Sequence, residues 1–225
     1  MIPSEPINIL TIQFANTISH HEIPLFRGAV IHSLENKLLL FHNHDGENYR
    51  YAYPLIQYKR IKGKAAIVCI GKGKDAMSEF FSSNQFSFEI GKKNTEMRIE
   101  SIHADLATIN LIDTQHYYQL HNWLPLNSNN YQLFQETDNL VEKLMILERV
   151  LTGNILSFLK GIDIHLEDKL EVHITQITNQ RITFYKKIKF MAFDIEFKAN
   201  ISLPPYIGIG KNASIGYGML TKNTH

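Results

Sequence analysis

His42 and His44 are the residues of this 225-residue chain best suited to chemistry. They lie two apart, so in extended structure both imidazoles project from one face. Histidine's ordinary pKa of about 6.5 lets one ring take a proton and the other give one near neutral pH. Each such transfer contributes about 10²–10⁴-fold in rate. Asp45 follows directly, and His-x-His-Asp also reads as a plain polar loop. Zinc binding is a further alternative, with His20 or His21 as third ligand, although no HExxH motif or cysteine ligand supports it. Adjacent His20 and His21 point to opposite sides of an extended chain. Tyr49, Tyr51, Tyr53 and Tyr58 interleave with Arg50, Lys59 and Arg60. Aromatics mixed with cations suit base stacking and phosphate contact. Alternating tyrosines are equally good strand formers.

A second string with chemical potential closes the chain. Gly208-Ile209-Gly210-Lys211-Asn212-Ala213-Ser214-Ile215-Gly216-Tyr217-Gly218 places four glycines in eleven residues. Glycine lets a backbone approach another surface closely and offer its amides as donors. Lys211, Asn212 and Ser214 add charge and hydrogen bonds for phosphate oxygens. The string is neither a Walker loop nor a dinucleotide fingerprint, since no strand–loop–helix unit follows it. The alternative is a glycine-rich turn that packs on its own sheet.

These residues need elements to hold them. Ile7–Phe14 reads as a strand, and Leu25–Glu35 as a helix through Leu25, Val30, Ile31 and Leu34. His42–Asn48 is turn-rich around Asp45-Gly46. Ile56–Lys62 and Ala65–Ile70 read as strands, Asp75–Phe81 as a helix with Asp75 near its cap, and Phe86–Ile90 and Met97–Ile112 as strands. The resulting β-α-β-β-α-β order is the ferredoxin-like pattern. A second unit begins near Tyr117, with a strand over Tyr117–Leu124 and a loop over Pro125–Asn130. A helix over Asp138–Leu159 carries Leu140, Leu144, Leu147, Leu151, Ile155 and Leu159 as a core stripe, capped by Asp138 and stopped by Gly161. Glu142, Lys143, Glu148 and Arg149 form its solvated face. Leu170–Ile177 and Arg181–Tyr185 read as a hairpin over Thr178-Asn179-Gln180, and Lys189–Ile201 as a long strand. Any second helix in this half must be short.

Gly208-x-Gly210, then Gly216-x-Gly218 after five residues, close to the chain end and after a long strand, resembles the glycine-rich motif of the CRISPR-associated repeat endoribonucleases (the sixth Cas family, within the RAMP superfamily). Phe26-Arg27-Gly28-Ala29, and His42-x-His44-Asp45 leading to Tyr53–Lys59, resemble the subfamily whose active site uses two histidines. The resemblance spans essentially the whole chain. It implies an α+β protein of two tandem ferredoxin-like (RRM-like) domains packed side by side: residues 1–114 with the histidine pair, and 115–225 with the glycine-rich loop. It also implies a metal-independent endoribonuclease that binds CRISPR repeat RNA and cuts the precursor transcript by 2'-hydroxyl attack, leaving a 2',3'-cyclic phosphate and a 5'-hydroxyl. On this reading His42 is the base and His44 the acid or phosphate contact, with the roles exchangeable. Tyr49 or Tyr51 orients the 2'-hydroxyl, and Lys59 or Arg27 stabilises the charged pentavalent state. Arg27, Arg60, Lys186, Lys187, Lys189, Gly208, Gly210, Lys211, Asn212, Ser214, Gly216 and Gly218 are the candidate RNA contacts. His32, on the first helix, stands where the more common catalytic histidine of the family is expected and is held in reserve.

Bulk composition bounds the rest. Net charge is +1, from 23 Lys and Arg against 22 Asp and Glu, which argues against a protein that coats nucleic acid indiscriminately. The cations nevertheless cluster: Lys59, Arg60, Lys62, Lys64, Lys72 and Lys74 occur between Gln57 and Lys74 with no acidic residue among them. A single cysteine, Cys69, cannot form an internal disulfide and reads as a core residue. With no run of about 18 apolar residues and no basic, cleavable leader, a cytoplasmic protein is expected. No cofactor or metal is expected, other Cas effector subunits are allowed as partners, and the chain is read as a monomer or homodimer. The rival functions are a non-catalytic RNA-binding subunit of a CRISPR effector complex and a metabolite-binding α+β protein.

Overall fold

The computed structural model describes residues 6–33, 44–45, 48–49, 53–75, 77–82 and 86–222. The chain divides into two compact units, one of Glu5–Thr108 with Ser214–Gly216, the other of Ile109–Ala213 with both termini.

In the first unit β1 (Ile7–Thr17) leads through a single 3-10 turn (His20–Glu22) into α1 (Ile23–Ser33). Ser19 and Glu22 close that turn as a capping box: the Glu22 carboxylate accepts from the Ser19 amide at 2.9 Å. Ile23, Phe26, Val30 and Ile31 form the buried face of α1, while Leu25, expected there, is 46% exposed. Two very short strands follow, β2 (His44–Asp45) and β3 (Asn48–Tyr49), where the sequence suggested only a turn. β4 (Ile56–Ile61) and β5 (Lys64–Ile70) make a hairpin over Lys62-Gly63, both at positive φ. Asp75 ends a 3-10 turn, and α2 (Met77–Ser82) comes next. β6 (Ser87–Ile90) and β7 (Lys93–Glu96) form a separate hairpin. β8 (Ile99–Ala107) completes an antiparallel sheet of order β4-β5-β1-β8. Taking β1, β4, β5 and β8 as first to fourth, the order is 2-3-1-4, as a ferredoxin-like unit requires. The aromatic core joins α1 to the sheet: Phe26 meets Phe14 and Tyr58 edge-on, each at 5.6 Å between ring centres.

The second unit repeats the plan. Met97–Ile112 is not one strand: it breaks after Ala107, and β9 (Leu111–Trp123) starts the new unit before the expected Tyr117. The supposed loop at 125–130 already begins α3 (Ser128–Glu136), because the Asn127 side chain caps it by accepting from the Asn130 amide at 2.8 Å. α4 (Leu140–Gly161) is likewise capped by Asn139 rather than Asp138, accepting from the Val141 amide at 2.8 Å. Its core stripe begins later than the leucines suggested and is widened by Ile146 and Phe158. Leu147, Leu151, Ile155 and Leu159 are buried, but Leu140 is 74% exposed. Glu148, assigned to the solvated face, is half-buried and accepts from the Ile174 amide at 2.9 Å.

The expected turn at Thr178–Gln180 is strand. β10 (Val172–Tyr185) runs through it with a bulge at Ile177/Asn179 and turns at Lys186-Lys187 into β11 (Ile188–Ile201). Both lysines take positive φ, at 49° and 64°, the geometry of a two-residue hairpin whose twist matches its strands. β12 (Met219–Lys222), unread in the sequence, pairs with β9. The sheet order β10-β11-β9-β12 is again 2-3-1-4. No helix fills the second crossover. The segment from Leu203 to Gly218 takes its place, and this is the glycine-rich string. None of the described helices is long and apolar enough to cross a membrane.

Candidate nucleic-acid interface

The candidate residues fall into three groups. His42 and Tyr51 lie outside the described residues. His44 and Tyr49 lie on β2 and β3, whose register sets these two positions opposite each other, as it does Asp45 and Asn48. A cross-strand pair of this kind brings Cα atoms to about 4.5–5.5 Å.

The candidate cations of the first unit, Arg27, Lys59 and Arg60, are half-buried or buried. The half-buried Arg60 donates from Nε to the Ile18 carbonyl at 2.7 Å. Arg27, on α1, is half-buried, and its charge bears on the wholly buried phenol of Tyr58, which burial raises above its ordinary pKa. Lys59 is 0% exposed. Tyr58 faces α1, so by strand alternation Gln57 and Lys59 face the other side of the sheet. There Lys59 shares a row with Ala66 and Gln13, and Gln57, also 0% exposed, shares one with Val68 and Thr11. Burial draws the Lys59 ammonium from 10.5 down to about 7. Because this folded-state value is depressed, the unfolded chain binds the extra proton between pH 7 and 10.5, and stability rises with pH across that window. From pH 7 to pH 9 the expected gain is about 2 kcal/mol. Urea midpoints measured over that range in wild type and Lys59→Met should show the slope only in wild type. Equal slopes would reject the depressed value.

The candidate cations of the second unit lie on or beside the β10–β11 hairpin. Lys186, Lys187 and Lys189 are all exposed at the β10–β11 tip. Lys211 of the glycine-rich segment lies with Nζ 4.7 Å above the Phe190 ring, next to Lys189. Sequence reading missed the apolar companions of this cluster, Phe184 (66% exposed) and Ile188 (59%). Their signal was an apolar residue on each side of a Lys-Lys turn. Also missed was a polar row on β9 and its neighbours. His121 Nε2 meets the Thr221 hydroxyl at 2.9 Å, and Arg181 donates to Asp194 at 2.6 Å. Burial pushes the Asp194 carboxyl up, but hydrogen bonds from Arg181 and the Asn122 amide outweigh it and hold the group below its usual range.

The glycines themselves are spent on packing. Gly208, Gly216 and Gly218 are buried, which does not match the expectation of exposed amide donors at those positions. The Ile209 amide donates to the Gly218 carbonyl at 2.7 Å, and the Gly218 amide to the Asn122 carbonyl at 3.2 Å. A Cβ on Gly210 would stand 2.5 Å from Asn154 Oδ1, and one on Gly216 2.6 Å from Ile23 Cδ1. The Ser214 carbonyl accepts from the Tyr58 amide at 2.8 Å, and Ile215 bridges Tyr58 in parallel, so this stretch touches the β4 edge through one isolated bridge. Asn212, at φ 59°, keeps a buried Nδ2 with no hydrogen-bond partner.

His32 is exposed on the last turn of α1 and borders a groove of about 740 Å³ with Gly28, Ala29, Lys92 and Asn94. His20 and His21 form the 3-10 turn, where His21 meets the Ser19 hydroxyl at 3.3 Å. Among the described residues no three His, Cys, Asp or Glu side chains converge as a metal site. Cys69 is buried.

Two ferredoxin-like sheets in sequence, the second with a glycine-rich crossover before its last strand, define a tandem ferredoxin-like α+β protein. Residues 5–108 match the Cas6b N-terminal domain model, and residues 110–223 the Cas6b C-terminal domain model. The chain belongs to the Cas6b family. A crystal structure described as Cas6b superposes with a TM-score of 0.89 at 26% identity, over 97% of this chain and 100% of that one. Another, described as the CRISPR RNA processing endoribonuclease Cas6b, gives 0.74 at 26% identity, with the same coverage of both chains. The uncharacterized protein MJ0978 of Methanocaldococcus jannaschii is 37% identical over 100 residues, which are 44% of this chain and 67% of that protein.

Proposed function

We propose that this chain binds CRISPR repeat RNA and cuts the precursor transcript without a metal ion. The observation that carries the reading is the match of both halves to Cas6b domains, with His42-x-His44 inside the N-terminal one. The similar structure described as a CRISPR RNA processing endoribonuclease supports the same substrate.

RNA carries its own nucleophile. One imidazole of the pair takes the 2'-hydroxyl proton as that oxygen attacks phosphorus, and the other gives a proton to the departing 5' oxygen. The P–O5' bond breaks, and the products are a 2',3'-cyclic phosphate and a 5'-hydroxyl. Tyr49 or Tyr51 orients the 2'-hydroxyl, and Arg27 on α1 offsets the charge of the pentavalent state. Lys59, wholly buried, is not given that role. Lys186, Lys187, Lys189 and Lys211 hold phosphates of the repeat, and the glycine-rich segment acts by fixing Lys211 and the β4 edge rather than by offering amides from its buried glycines.

The test is incubation with the cognate repeat RNA in excess EDTA, with the ends of the products mapped. Cleavage that persists and leaves a cyclic phosphate is expected. Cleavage that stops with chelation would overturn the metal-free chemistry, and tight binding of intact RNA would mark a non-catalytic subunit instead.

A further inference from the structure

We propose that two copies of this chain associate through β8, the strands pairing antiparallel about a two-fold axis at Ala104. The inference is independent of the cleavage chemistry.

β8 is the last strand of the sheet β4-β5-β1-β8, and among the described residues nothing pairs with its outer edge. Exposed strand edges are normally blunted by lysine, proline, bulges or cover. The other long edges of this protein are protected in those ways. Ile215 lies along β4, and β10 carries two bulges. β8 is nine residues long, with neither lysine nor proline, and its one irregularity against β1 falls near its start. All five residues from Ile102 to Leu106 are exposed, Ile102 by 50% and Leu106 by 70%. An uncovered apolar edge of this kind predicts an interface.

The sequence of the strand selects its occupant. Ile102-His103-Ala104-Asp105-Leu106 is complementary to itself when reversed. With Ala104 opposite Ala104, Ile102 faces Leu106 and His103 faces Asp105, and each pair occurs twice. Cross-strand pairs share a face, so the apolar pairs meet on one side of the ribbon and the imidazole–carboxylate pairs on the other. A centre one residue earlier sets His103 against His103, and one residue later Asp105 against Asp105. Only the Ala104 centre satisfies every position, which is the requirement of an isologous two-fold contact.

Light scattering on the full chain is expected to show a species of twice the 26.0 kDa chain mass at high micromolar concentration. His103→Asp and Asp105→His should each weaken the dimer by about tenfold, because each faces like against like twice. The double variant exchanges the two partners and should recover near-native affinity, a rescue that a mere folding defect would not show. Ala104→Cys should cross-link on mild oxidation, since antiparallel partners about 4.5–5.5 Å apart at Cα fall within disulfide reach. The buried Cys69 does not compete. A monomer at every concentration, or a dimer indifferent to all these changes, would overturn the proposal.

Discussion

Alanine at His42 or at His44 is expected to slow cleavage of repeat RNA by about 10²–10⁴-fold, with RNA affinity changed only a few-fold. The loss corresponds to about 3–5 kcal/mol of barrier, far more than one phosphate contact supplies. Because base and acid act in one transition state, the double variant should be little worse than the more damaging single one. Single-turnover rates on saturating RNA separate this from weakened binding. His32→Ala is the control. It stands on α1 beside the groove lined by Gly28, Ala29, Lys92 and Asn94, and the rate of the variant should stay near wild type. A large loss there with His42→Ala and His44→Ala unaffected would move the chemistry onto the helix.

Gly218→Ala should be among the most destabilising single changes in the second unit. Its φ is +58°, and an added Cβ would stand 1.9 Å from the Ile209 carbonyl oxygen. That neighbour is backbone, held by the Ile209 amide's own bond to the Gly218 carbonyl, so relief requires breaking the pairing of the glycine-rich segment with β12. A cost of about 4 kcal/mol is expected, which lowers Tm by roughly 10 °C in a chain of this size. Gly153→Ala makes the opposite case. It sits within α4 with open space around it, and alanine there should stabilise by about 1 kcal/mol. Calorimetry on the two variants would show shifts of opposite sign. A Gly218→Ala protein that melts with wild type would mean that the crossover is looser than its hydrogen bonds indicate.

The apolar run Ala65–Ile70 was legible because β5 is buried on both faces, and the leucine spacing of α4 because that helix buries one face. The β10–β11 turn was not. Thr178-Asn179-Gln180 has turn-forming composition, whereas Lys186 and Lys187 adopt positive φ without glycine or asparagine to announce it. There the pairing of two fourteen-residue strands overrides local preference. Asn127 and Asn139 were equally quiet. Either asparagine reads as loop until the helix it caps is known. At the candidate site, residue types singled out the histidine pair, of which His42 lies outside the described residues, and the lysines of the β10–β11 tip, which are exposed. They did not reveal that Lys59 is buried, because Gln57 and Lys59 occupy positions in β4 that simple alternation marks as polar and exposed. The glycines were noticed for the right spacing but the wrong reason: steric room beside Asn154, Ile23 and Ile209, rather than amides turned to solvent.

Residues 214–216 belong to the sheet that begins at residue 7. During synthesis the first hundred residues emerge well before the stretch that flanks β4, so that border stays open to other chains until residues 214–216 have been made. A fragment ending at Thr108 would keep its core yet carry a permanent sticky margin, and supplying a peptide that spans Ser214–Gly216 should suppress its aggregation.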